Sequence, residues 1–274
     1  MKNSSFERDT VCSIIVNLSD VSLKFELTTE TVGYNYETFA EWYESPVRPK
    51  AVEDFINSPK VGQPAPNFEA VTSDGYAVRL SDFKDKANII IEFGCTTCPP
   101  FINSVRYTAI SMEKLYNEYR KKGFEFFLVY VREAHPGEKI KQHKSYQEKL
   151  ERAKRMKREE EIAIPILVDT FDGDIHRSYG SRPNGVFVIN RKGILVHKAQ
   201  WIDTLQLKDV LDNILEYENA MASGHGAYLS YSETLRAIDN DRWADLEMKK
   251  KVLHKAGDKA IKDWKEKLYD NDPI

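Results

Sequence analysis

Apolar and polar positions along the chain mark out its elements before any chemistry is considered. Ser22-Leu23-Lys24-Phe25-Glu26-Leu27 alternates polar and apolar residues, the period of a half-buried strand. Val11–Leu18 is its candidate hairpin partner. Phe39, Trp42 and Tyr43 fit one side of a short helix, which must break near Pro46 and Pro49 because proline removes a donor and clashes with the preceding turn. The pattern changes near residue 60, where Val61-Gly62-Gln63-Pro64-Ala65-Pro66-Asn67-Phe68 reads as a rigid lead-in. Asp74-Gly75 then signals a tight turn between strands at Phe68–Val71 and Tyr76–Leu80, and Ser81-Asp82 a second turn.

Asn88–Phe93 is continuously apolar except for Glu92 after its first residue, as expected of a strand covered on both faces. A helix is predicted after Cys98, with Val105, Ala109, Met112, Tyr116 and Tyr119 on one face and Gly123 as its C-terminal stop. Phe124–Val131 reads as a second buried strand. Lys139–Glu161 reads as a charged surface helix with a thin stripe of Ile140, Tyr146, Leu150 and Ala153. Further strands are predicted at Ile164–Asp169, Val186–Asn190 and Ile194–Trp201, the last two joined by a turn at Asn190-Arg191-Lys192-Gly193. Strands alternating with helices before a closing hairpin indicate an α/β layer fold. Beyond residue 203, Leu207, Val210, Leu211, Ile214 and Leu215 form one helical face. Ser223-Gly224-His225-Gly226 breaks it, and Trp243, Leu246, Val252 and Trp264 punctuate a Lys-rich tail that fits a second amphipathic helix packed on its own protein. This divides the chain into an N-terminal β/α extension (1–60), a central domain (61–203) and a C-terminal helical extension (204–274).

Composition narrows the function classes. The 274 residues are 41% hydrophobic and 30% charged, with 40 Lys and Arg against 43 Asp and Glu. A charge this close to balance does not point to nucleic acid. No apolar run approaches the roughly 20 residues of a membrane span, and the first residues lack a signal peptide's apolar stretch, so the expected location is the cytosol.

The candidate chemistry lies in the cysteines. Of Cys12, Cys95 and Cys98, the last two form Cys95-Thr96-Thr97-Cys98 between a predicted strand and a predicted helix. A helix N-terminus favours negative charge, so Cys98, nearer the helix, is expected to have a lowered pKa and to be the nucleophile. Thr97 can donate a hydrogen bond to the thiolate. Cys95 can attack an adduct on Cys98 and release it as an internal disulfide, and Pro99 suits the first helical turn. Inert buried thiols and half a zinc site are the alternatives. No cofactor is called for, and Cys12 is a spare thiol.

Phe93-Gly94-Cys95-Thr96-Thr97-Cys98-Pro99-Pro100-Phe101, followed by Val129-Tyr130-Val131-Arg132-Glu133-Ala134-His135-Pro136, resembles the iodothyronine deiodinases and their bacterial relatives over roughly residues 61–202. The resemblance implies a thioredoxin-like fold, with a central mixed sheet flanked by helices, and reductive removal of iodine from an organic substrate. It implies Cys98 as nucleophile where the family usually has selenocysteine. Thr97 is its neighbour, Tyr130, Glu133 and His135 form an acid/base and substrate-positioning cluster, and His143 resembles the family's second histidine. Glu133 is expected to hold the His135 imidazole, which supplies a proton near neutral pH. Pro183 is the candidate for the cis-proline that thioredoxin folds place against the active cysteine.

The chain departs from the family in several places. Cys95 stands where the hormone enzymes usually have serine, Gly185 stands where an arginine is expected, the stretch between His135 and His143 is short, and the family's membrane anchor is expected to be absent. His176, His197, His225 and His254 have no supporting context. The implied partners are a thioredoxin- or glutathione-like thiol reductant, a small-molecule or disulfide substrate, and a second copy of the chain in a homodimer. A peroxiredoxin-like thiol peroxidase and a non-enzymatic thioredoxin-fold interaction module are the competing functions.

Overall fold

The computed structural model describes residues 33–45, 53–235 and 246–268. The strands expected at Val11–Leu18 and Ser22–Leu27, Cys12, and Trp243 lie outside the described residues. The sheet runs in the order β2-β1-β5-β4-β3-β6-β7-β8. Its strands are β1 (Glu69–Thr72), β2 (Ala77–Arg79), β3 (Asn88–Gly94), β4 (Phe124–Tyr130), β5 (Ile166–Val168), β6 (Val186–Ile189), β7 (Leu195–Ala199) and β8 (Ser232–Thr234). β3 lies between parallel β4 and antiparallel β6. A strand–helix–strand unit (β3 to β4) thus joins a hairpin-plus-helix unit (β6, β7 and the helix Thr204–Ala222), which is the thioredoxin-like arrangement.

The apolar run in β3 has its cause in this position. Ile90 faces a core with Phe101, Leu115, Phe126, Leu128, Val188 and Leu207. Ile89, Ile91 and Phe93 face the opposite core with Phe127, Val129, Tyr179 and Phe187. Successive strand residues point to opposite faces, so a strand covered on both sides is apolar on both, with the buried Asn88 and Glu92 as its polar exceptions. The sequence-predicted turns also appear: Gly75 (φ 92°), Gly123 (φ 85°) and Gly193 (φ 77°) are all left-handed.

The structure corrects several expectations. The helix after Cys98 is broken into α1 (Pro99–Ile102), a π-turn at Asn103–Tyr107 and α2 (Met112–Tyr119). The break leaves Ala109 exposed and buries Leu115, which the predicted stripe did not include. The charged helix starts only at α3 (Tyr146–Glu159), where Ser145 caps it by accepting the Glu148 N–H. Residues 139–145 are loop, and Ile140 is buried there. The tail contains two helices, α4 (Leu246–Ala256) and α5 (Asp258–Leu268), split at Gly257 (φ 122°). Sequence reading also missed β8, which pairs parallel with β7 and carries the sheet past residue 203.

The short helix Phe39–Glu44, predicted from its aromatic spacing, is closed by a Thr38/Glu41 capping box. It meets α5 through the Ala40 N–H and Asp263 (3.3 Å) and through Lys267 and Glu44.

Gly94 ends β3 where the chain turns toward the cysteines. A Cβ there would sit 1.9 Å from the Phe101 ring. Gly94→Ala is therefore expected to lower stability by about 2–3 kcal/mol through overpacking, measured by urea denaturation. An unchanged midpoint would show that Phe101 is free to move aside.

Candidate active site

The ends of two adjacent parallel strands build the site. β3 delivers Cys95, Thr96, Thr97 and Cys98; β4 delivers Tyr130 and then Glu133, Ala134 and His135. The Val131 N–H bonds the Gly94 carbonyl (3.0 Å), which continues the ladder into the site.

Glu133 ties the two segments together. Its Oε2 accepts the Thr97 N–H (3.0 Å) and the Thr97 hydroxyl (2.8 Å). Its Oε1 accepts the Tyr130 hydroxyl and faces Arg152 Nη1 (3.4 Å). Each hydroxyl has one proton. Tyr130 spends its proton on Glu133, so Thr96 Oγ1 is the donor in its 2.9 Å bond to Tyr130. The polar chain therefore runs from Thr96 through Tyr130 to Glu133. Gln142 fixes Glu133 from behind: its Oε1 accepts the Glu133 N–H (2.9 Å), and its Nε2 donates to the carbonyls of Glu133 and Tyr36 (3.1 Å each).

Both cysteines are free thiols, at 0% (Cys95) and 2% (Cys98) exposure. Cys95 Sγ accepts the Ala134 N–H at 3.2 Å and lies 3.7 Å from Thr97 Oγ1. Cys98 Sγ points to the Pro183 carbonyl at 4.0 Å. The expected lowering of the Cys98 pKa does not occur: burial pushes this thiol up to about 12, and that of Cys95 well above its ordinary range. Two features defeat the helix N-terminus. The site is dry, which disfavours any thiolate. Pro99 and Pro100 also lack N–H groups, so the terminus offers Cys98 only the Phe101 N–H.

Other assigned roles change as well. Thr97 gives its proton to Glu133, accepts the His135 N–H (3.1 Å) and lies beside Cys95, so it does not serve Cys98. Glu133 does not hold the His135 imidazole, whose Nδ1 is without a partner. His135 is packed between Phe39 (4.4 Å between ring centroids) and Trp264 (4.8 Å), and burial pulls its pKa down to about 3. Buried in this way it is neutral and is not an imidazolium proton donor. His143 is buried beside Phe171 (6.3 Å) with both ring nitrogens unpartnered. Its pKa is also drawn to about 3, by burial and then by Lys149 and Arg152. Among the described residues no peptide is cis, so the cis form expected at Pro183 is absent. No cluster of three His, Cys, Asp or Glu among them suits a metal ion.

Sequence reading missed four participants. Gln142 and Arg152 had no motif to mark them. Glu92 was visible only as the polar break in β3; it is fully buried, accepts from Ser104 (2.5 Å) and Asn184 (2.8 Å), and burial raises its pKa to about 8. His176, set aside earlier for want of context, links Tyr34 (2.8 Å) to the Arg182 carbonyl (2.8 Å).

The family model of iodothyronine deiodinase matches residues 42–218. This chain belongs to the iodothyronine deiodinase family. It is 29% identical over 181 residues to thyroxine 5-deiodinase of Gallus gallus, covering 62% of this chain and 68% of that one. It is 28% identical over 149 residues to type I iodothyronine deiodinase of Xenopus laevis, with coverages of 51% and 56%. The Homo sapiens thyroxine 5-deiodinase is 25% identical over 185 residues, with coverages of 64% and 58%. The match therefore spans between just over half and about two thirds of these relatives.

Among solved structures, an uncharacterized conserved protein from Geobacillus kaustophilus has a TM-score of 0.46 at 23% identity, covering 58% of this chain and 84% of that one. A thiol:disulfide interchange protein DsbE from Chlorobium tepidum has a TM-score of 0.45 at 20% identity, with coverages of 58% and 99%. At these scores the likeness carries no argument.

Family membership overturns the cytosolic placement, because deiodinase relatives are membrane-anchored integral proteins. No helix among the described residues of this deiodinase-family chain is long and apolar enough to cross a membrane, which does not restore that placement.

Two outcomes are expected. Trp264→Ala should speed alkylation of native Cys98 by iodoacetamide, because it opens the cover over His135; an unchanged rate would mean that entry lies elsewhere. Acid should also destabilise the fold through the histidines. His135 and His143 are neutral when folded, whereas unfolded imidazoles take up protons below pH about 6.5. Their stabilisation is full above that pH and is lost as pH falls toward about 3. His135→Phe should flatten this acid limb in thermal melts followed from pH 7 to 4.

Proposed function

We propose that this member of an oxidoreductase family is a thiol-dependent reductive dehalogenase acting on an iodinated phenol. Cys98 is the attacking sulfur and Cys95 the resolving one. The observation that carries this reading is the pair of free thiols at the end of β3, joined to the Thr97–Glu133–Tyr130 hydrogen-bond cluster. In the first step the Cys98 thiolate takes iodine from the substrate. The carbon–iodine bond breaks, the ring carbon takes a proton, and a sulfenyl iodide forms on Cys98. In the second step the Cys95 thiolate attacks Cys98 Sγ, iodide leaves, and the Cys95–Cys98 disulfide forms. An external dithiol reduces that disulfide and is itself oxidised. Thioredoxin- or glutathione-like reductants have this chemistry.

Sulfur is a weaker nucleophile than selenium at neutral pH, and here the thiol is also buried. Attack therefore requires an opening that rehydrates Cys98 and lowers its pKa. The Ala134 N–H at Cys95 and the Phe101 N–H at Cys98 are the donors that stabilise the two thiolates once formed.

The test is iodide release from an iodothyronine in the presence of a dithiol. Cys98→Ser is expected to abolish release. Cys95→Ser is expected to keep a single turnover with a monothiol but to lose dithiol-driven cycling. Reduction of a disulfide substrate without iodide release from any iodinated phenol would replace dehalogenation with thiol–disulfide exchange. Rapid peroxide turnover at Cys98 would replace it with thiol peroxidase chemistry.

A further inference from the structure

A cleft of about 330 Å³ opens beside the cysteine turn, and Thr96 is the one residue of Cys95–Cys98 that lines it. Small-molecule sites begin at about this size. Three elements make its walls. The loop before α3 gives Lys139, α3 gives Arg152, Arg155 and Glu159, and α4 gives Lys255. The Ala256 carbonyl accepts the N–H groups of Lys139 and Ile140 (3.0 and 3.1 Å), and Lys255 reaches Glu159 (2.7 Å) and Glu160 (3.1 Å). These contacts hold α4 against the other two walls. Lys255 lies beyond residues 42–218, the stretch that the family model matches, so the C-terminal helices complete a cleft that the matched stretch does not form alone.

The lining is unbalanced in charge. Four cationic side chains, Lys139, Arg152, Arg155 and Lys255, face one carboxylate, Glu159. That carboxylate is shared, with Oε1 on Arg155 Nε (2.5 Å) and Oε2 on Lys255 Nζ (2.7 Å). Behind the lining, Glu133 takes up part of the Arg152 charge (3.4 Å) and Glu160 part of that of Lys255. Lys139 is exposed and makes no ion pair among the described residues. A concave surface with this excess concentrates small anions. It also favours a thiolate over a thiol in whatever it holds, because nearby cations stabilise the charged form. At the inner end Thr96 adjoins Cys95, and its hydroxyl is already spent on Tyr130 (2.9 Å).

We propose that this cleft binds the reductant that returns the Cys95–Cys98 disulfide to two thiols, and that the reductant is a small thiol carrying carboxylates, of the glutathione type. The carboxylates rest on Lys139 and Arg155 while the sulfur passes Thr96 to Cys95. The reductant thiolate attacks Cys95 Sγ, the Cys95–Cys98 bond breaks, and Cys98 leaves as a thiolate. A mixed disulfide now stands on Cys95. A second reductant thiolate attacks the reductant sulfur of that bond, and Cys95 leaves. The two reductant molecules depart joined as their own disulfide, and the two protons given up by their thiols end on Cys98 and Cys95. Two monothiols thus do the work of one dithiol. This assignment rests on the Cys95–Cys98 disulfide of the proposed cycle, and it names the chemistry of the partner that reduces it.

The test uses the full chain. The protein is oxidised with diamide, and the Cys95–Cys98 disulfide is identified by peptide mass spectrometry. Its reduction is then timed with glutathione and with glutathione diethyl ester, which keeps the thiol and lacks the carboxylates. Each rate is divided by that of the same thiol on hydroxyethyl disulfide, a neutral reference. On this scale glutathione is expected to outpace the ester by about fivefold, the range of ion pairs at a half-exposed site, and added salt should shrink the difference. Lys139→Gln with Arg155→Gln should bring the two thiols level, and Lys139→Glu should favour the ester. If the double variant fails to fold by circular dichroism, the exposed Lys139 position decides. Equal rates in the unaltered protein, or a preference retained in the folded variants, overturn the cleft assignment and leave the cysteine chemistry intact. Failure of diamide to form a Cys95–Cys98 disulfide overturns both.

Discussion

One carboxylate holds the site in shape. Glu133 lies at the end of β4 and accepts donors from three directions: the Thr97 backbone and side chain, the Tyr130 hydroxyl and Arg152. It is completely buried. Removing the carboxylate would strand the Thr97 N–H and the Thr97 and Tyr130 hydroxyls in a buried site, at about 1–3 kcal/mol for each donor left unpaired, while the one-fifth-exposed Arg152 keeps solvent and the Lys141 carbonyl. Because Thr97 lies between the two cysteines, their turn is fixed through that residue. Gln142 transmits the same constraint to the backbone of Glu133 and out to Tyr36, so the N-terminal extension shares in it.

Access and reactivity of the thiols are governed by the same variable. The cover over the site comes from both extensions: Phe39 and Trp264 lie against His135, and the Ala256 carbonyl takes the N–H groups of Lys139 and Ile140 (3.0 and 3.1 Å). Glu138 in turn accepts the first N–H groups of α5, from Asp258 (2.6 Å) and Lys259 (2.9 Å), a charge-favourable cap at a helix N-terminus. With this cover in place the thiols are protonated and the histidine is neutral.

Much of the frame could be read from the chain. The strands at Asn88–Gly94 and Phe124–Tyr130 follow from uninterrupted apolar runs, and the glycine-bearing turns follow from local steric rules. The errors fall where local signals are ambiguous. The π-turn at Asn103–Tyr107 breaks a helix that Pro99 and Pro100 begin and whose apolar spacing reads as continuous. Ser232–Thr234 has no strand pattern of its own and becomes a strand only by pairing with His197–Ala199. Ile140 reads as part of a helical stripe, yet it packs against Leu253, Ala256 and Trp264 from a loop.

The sequence alone determined that two cysteines stand where a buried strand meets a helix, and that Tyr130, Glu133 and His135 follow at the end of the next strand. Periodicity, turn chemistry and the order of motifs are local properties, and they sufficed for this. Tertiary structure decided the protonation and partners of those residues. Glu133 binds Thr97 instead of an imidazole, the thiols are raised rather than lowered in pKa, and Arg182 is left as a buried charge facing neutral groups. Each of these depends on desolvation and on which distant residues close over the site, and neither is set by the neighbours a residue has along the chain.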